Sequence, residues 1–106
     1  MTDNQSIDIP PSFVALFVTP GRVKPSLGRE DMSARYELCE DLATLLTEHA
    51  KTVLFDLGIT EADVLERCEL GLLTESSVVS PTEARWVIRR LAELVGWDDP
   101  GDKQSD

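Results

Sequence analysis

The sequence predicts an all-α fold, a compact bundle of three main helices preceded by one short N-terminal helix. Three observations carry this. Apolar side chains recur with helical period from Glu30 to Lys51 and beyond. Ser80-Pro81-Thr82-Glu83 has the composition of a helix start, with a capping serine, a proline at the first helical position and a glutamate three residues on. Thr60 followed by Asp63, just after Gly58, gives a second start of the same kind with a shorter acid.

Residues 1–11 are polar and then proline-rich, and read as a flexible N-terminal tail. The run Phe13 to Val18 is apolar. Its length fits a short helix or a strand. Ser12 as a cap, with Phe13, Leu16 and Phe17 on one face, favours the helix. Thr19 to Arg29 holds two prolines and two glycines and reads as a loop.

The long helix follows. At about 100° per residue, Leu38, Leu42, Leu45, Leu46, His49 and Val53 share one side, flanked by Ala34 and Cys39. Glu37, Glu40, Asp41, Thr44 and Glu48 fall opposite. Glu30 and Asp31 suit the first turn, where the helix dipole favours anions. The apolar pattern continues to Leu57, and Gly58 is a stop signal.

From Thr60 the apolar stripe is Val64, Leu65, Cys68 and Leu72, with Gly71 weakening the end. Leu73 to Val79 is a connector. The helix opened by Ser80 buries Ala84, Val87, Ile88, Leu91, Leu94 and Val95, and Gly96 ends it. Trp97 is expected to fold back onto the core. Residues 98–106 read as a flexible acidic tail, leaving 12–97 as a single helical domain.

Composition narrows the function. A chain of 106 residues with 42% hydrophobic content builds one domain and one core. Two cysteines are too few for a disulfide scaffold, and the first residues lack a basic region followed by an apolar run. No stretch approaches the ~18 apolar residues of a membrane span. These features point to a cytoplasmic protein with reduced thiols. The net charge of −10 disfavours nucleic acid and anionic membrane as partners.

No chemical motif compels a reaction. Gly21 and Gly28 are too far apart for a phosphate loop, and Arg29-Glu30 stands where Lys-Ser/Thr is needed. Cys39 and His49 lie ~15 Å apart along one helix, too far to share a zinc ion. The expectation is no metal and no cofactor. His49 on its apolar stripe reads as a structural histidine; an enzyme pairing it with a cysteine is an alternative. A second alternative is a helix-turn-helix DNA-binding regulator with Arg85, Arg89 and Arg90 on its second helix. Its connector, Leu72 to Ser80, has nine residues where that motif uses three or four, and the preceding helix carries Glu61, Asp63, Glu66 and Glu69 against Arg67 alone.

Charge is segregated. Glu30 to Glu48 has six acids and one base, a local −5, while Thr19 to Arg29 carries only Arg22, Lys24 and Arg29. Trp86 projects opposite the Ala84–Ile88–Leu91 stripe, beside Arg89 and Arg90. Tryptophan and arginine are the residue types enriched at binding hot spots. The leading expectation is a non-enzymatic protein–protein interaction module. Its partner surface is either Trp86, Arg89 and Arg90 with the basic loop Arg22, Lys24 and Arg29, or the acidic face of the long helix.

The segments PSFVALFVTPGR (11–22), ARYELCEDL (34–42) and SPTEARWVIRRL (80–91) resemble a family of small, uncharacterised proteobacterial proteins, some labelled ATPase with chaperone activity. The resemblance covers about residues 10–97. It implies an all-helical bacterial cytosolic protein and transfers no catalytic residue. Because the chain has no phosphate loop, what the label implies here is association with a chaperone ATPase, in an adaptor or regulatory role.

Overall fold

The computed structural model describes residues 9–18, 21 and 26–99. It is all-α, with no strand among the described residues. A short helix α1 (Pro11–Val14) runs into a single 3₁₀ turn (Ala15–Phe17), followed by three main helices, α2 (Arg29–Leu57), α3 (Glu61–Leu72) and α4 (Pro81–Val95). None of these is long and apolar enough to cross a membrane. The chain divides into two units, residues 1–38 and 39–106.

In the first unit, α1 starts two residues earlier than expected. Its cap is Pro10, without a side-chain hydrogen bond, and Pro11 takes the first helical position, so Ser12 lies inside the helix instead of capping it. Proline supplies the helical φ and has no N–H to leave unpaired. Phe13 is fully buried and packs its ring on Phe17 and Tyr36, at 5.4 and 5.5 Å between centroids. The chain turns extended at Val18, and the Ser26 N–H donates to the Phe17 carbonyl.

The second unit holds the C-terminal two thirds of α2 together with α3 and α4. Its core is Ala50, Val64, Leu65, Cys68, Ile88, Leu91 and Ala92, rimmed by Leu46, Val53, Leu54, Ile59, Leu72, Val95 and Trp97. Trp97 thus folds back as expected. Leu65, Ile88 and Leu91 are almost wholly removed from water, worth about 1.5–3 kcal/mol each.

Local chemistry fixes the helix ends. Gly58 stops α2 with φ 62°, a left-handed conformation that a Cβ disfavours. The Thr60 hydroxyl accepts the Asp63 N–H at 3.1 Å and opens α3. At α4, Ser80 Oγ accepts from the Glu83 N–H at 3.2 Å while Glu83 Oε1 accepts from the Ser80 N–H at 2.8 Å, a complete capping box. Gly96, at φ 78°, closes α4. Its N–H donates to the Ala92 and Glu93 carbonyls, and the Trp97 N–H donates to Ala92, a Schellman end.

Two expectations are corrected here. The row of α2 that is wholly buried is Cys39, Ala43 and Ala50, not Leu45 and His49, both of which are exposed. The buried face is turned by roughly 80° from the leucine stripe. Leu46, Val53 and Leu54 lie beside this row and are partly buried against the core. The expected tail from residue 98 begins with a fixed residue, since the Asp99 side chain is 4% exposed and bonded to Arg85. Residues 100–106, and 1–8 of the expected N-terminal tail, lie outside the described residues.

Candidate contact surface

The sequence places Trp86, Arg89, Arg90, Arg22, Lys24 and Arg29 on a partner surface. The structure corrects one of these residues, the tryptophan. Trp86, expected on the polar face, is only 6% exposed. The reason lies in how α4 is surrounded. Arg85, in its first half, meets Glu69 near the end of α3 at 2.8 Å, and Arg90 meets Glu40 on α2. A helix with neighbours on two sides buries more than one stripe, and Glu83 and Trp86 are buried on the flank that carries Arg90.

Arg90 is engaged as well. Its Nε and a terminal nitrogen donate to both oxygens of Glu40 at 2.9–3.2 Å, and the other terminal nitrogen donates to Glu93 at 3.0 Å. The hydrogen bonds from Glu40, opposed by partial burial and helped by Glu93, push the guanidinium further up from its already high pKa. Arg89 is exposed on α4. Arg29 is exposed in the first turn of α2, and Arg22 and Lys24 lie outside the described residues.

These pairings also bear on the DNA-binding alternative. Of the three arginines that would face a phosphate backbone, Arg85 is held by Glu69 and Asp99, and Arg90 by Glu40 and Glu93. A phosphate would have to displace carboxylates to reach either one.

The His49–cysteine alternative loses its geometry. His49 is exposed, whereas Cys68 belongs to the core and Cys39 is fully buried. Burial pushes the Cys68 thiol up, away from the thiolate a nucleophile needs. Among the described residues, no group of three or more histidine, cysteine or acidic side chains is placed to hold a metal ion.

What sequence reasoning missed is that the acidic face of α2, which it offered as the other partner surface, also exposes large apolar side chains. Turning the helix so that Cys39, Ala43 and Ala50 face inward leaves Leu45 73% exposed and Phe55 87% exposed. Ten residues separate them, about 15 Å along the axis. With Glu48 and Thr52, both exposed, they fall within a strip roughly 80° wide. Thr44, His49 and Lys51 border it and are exposed too. The strip spans three helical turns and contains two large apolar side chains in water. Leu70 and Leu73 are also exposed, but at the end of α3 between Glu66 and Glu75.

No family model matches the chain, and neither a curated protein nor a solved structure matches it.

Proposed function

We propose that this chain is a non-enzymatic protein–protein interaction module, an adaptor or regulator, whose contact surface is the exposed face of α2 from Thr44 to Phe55. One observation carries the reading: Leu45 and Phe55 stand in water on a single helical strip. Each forgoes about 1.5–3 kcal/mol that burial would supply. Single exposed apolar residues are ordinary. An aromatic and a leucine aligned on one helix face, with no charge cluster between them, are the kind of anchors that a partner groove takes up.

The burial of Trp86 moves the proposed surface from α4 to α2. The carboxylate ties on Arg85 and Arg90 and the buried thiol of Cys68 support the interaction reading over the DNA-binding and thiol-enzyme readings. The resemblance to proteins labelled with chaperone activity makes a chaperone ATPase one specific partner for the test to look for.

The test is a photo-cross-linking amino acid installed in living cells at Leu45 and, as a control, at Arg67, an exposed position on α3. Protein adducts at 45 that are absent at 67 support the reading. No adduct at 45, or the same adducts at both positions, overturns it.

A further inference from the structure

We infer that the exposed face of α2 is a self-association surface, on which two copies of this chain pair their α2 helices antiparallel about a two-fold axis near residue 50. This rests on the interaction reading above and names its partner. The first support is charge. The chain carries −10, so two copies repel over most approaches. Between Leu42 and Phe55, however, the only acid is Glu48 and it is matched by Lys51. The strip that exposes Leu45 and Phe55 is therefore less charged than its surroundings, with the exposed Asp41 and Asp56 just outside it, and a second copy meets less repulsion there than over the rest of the chain. A cationic helix, the obvious partner for an acidic protein, would find Glu48 offset by Lys51 between the two apolar anchors.

The second support is self-complementarity. A two-fold contact requires that if residue i meets j, then j meets i. Leu45 and Phe55 are placed symmetrically about residue 50, as are Glu48 and Thr52. In an antiparallel pair Leu45 packs on the partner's Phe55, and Phe55 on the partner's Leu45. Glu48 falls beside the partner's Thr52 and Lys51, so each copy contributes one acid and one base to the centre. Asp56 falls beside the partner's Thr44 and not beside an acid. Within one copy, Lys51 and Glu48 are 3.9 Å apart and largely exposed, so both can turn to new partners at little cost.

A contact made by one helix face per copy lies below the standard size for stable complexes. The expected dimer is weak, with a dissociation constant on the order of 10–100 µM. Because salt screens the repulsion between two anionic bodies more than it weakens the apolar contact, the dimer tightens as salt is raised.

Sedimentation equilibrium of the full chain, from about 10 µM to about 1 mM, reads this directly. The apparent mass should climb from 11.7 kDa toward twice that value, and climb further in salt. Leu45→Glu with Phe55→Glu should weaken the dimer at least about tenfold with the helical circular dichroism unchanged, since both positions are exposed. Glu48→Lys alone should weaken it, and Glu48→Lys with Lys51→Glu should restore it. A chain that stays monomeric throughout overturns the inference, as does a dimer indifferent to the Leu45/Phe55 pair of substitutions. A charge swap that fails to restore pairing overturns the register about residue 50. If the cross-linker at 45 captures another protein while the pure chain is monomeric, the interaction reading stands and self-pairing falls. If neither adducts nor dimers are found, both fall.

Discussion

Trp86 and Arg90 lie one turn apart on α4, and both are taken up by the fold. Removing the indole should leave a large void. Trp86→Ala is expected to cost about 3–5 kcal/mol, read as a lower midpoint in urea unfolding followed by circular dichroism. A loss under ~1 kcal/mol would place the side chain at the surface after all. The indole was misjudged because a helical projection assumes a single buried stripe, and α4 has neighbours on two flanks. The cysteines were legible as small core residues. In native protein both thiols should react with a disulfide reagent far more slowly than in urea, because burial withholds access and, at Cys68, disfavours the thiolate. Fast native labelling of Cys68 would contradict its place in the core.

At the scale of the element, capping chemistry was read with more success than helix orientation. Ser80, Pro81 and Glu83 act as their sequence indicates because the bonds involved are local, within three residues. Ser80→Ala should destabilise by about 1 kcal/mol in the same unfolding experiment, and Ser80→Asp should recover most of that. The length of α2 was equally legible, from its period and from Gly58. Which face turns inward was not. Leucine outweighs alanine in any hydrophobic pattern, so the projection favoured Leu45 and passed over Ala43 and Ala50. The fully buried positions there are small ones, Cys39, Ala43 and Ala50. The candidate surface was hidden by the same error, since Leu45 was visible as an apolar residue and its exposure was not.

At the scale of the molecule, the all-α class and the three main helices follow from the period and the breakers, which act within each segment. The ties between segments do not. Arg90 and Glu40 are 50 residues apart, and no local signal pairs them. A double-mutant cycle of Arg90→Ala and Glu40→Ala should return a coupling of about 1 kcal/mol, modest because both side chains keep partial contact with water. A coupling near zero would mean that the pair only occupies space.

The doubling back of the chain after Gly96 has a dynamic consequence. Helix ends ordinarily open and close on their own, independently of the body. The last turn of α4 is held from two directions, by the bonds from Gly96 and Trp97 to Ala92 and by Asp99 reaching back to Arg85. The last turn of α2 has Phe55 and Leu57 in solvent, and after it Ile59 packs on the core, an apolar contact in place of an ion pair like that of Asp99. In deuterated water the amides of Gly96 and Trp97 should therefore exchange as slowly as those in the middle of α4, while the amides from Leu54 to Gly58 exchange orders of magnitude faster. Asp99→Asn should narrow the difference. Two helices that look equally well finished would then prove unequal in time: one stays shut, and the other samples the open states from which a partner can be engaged.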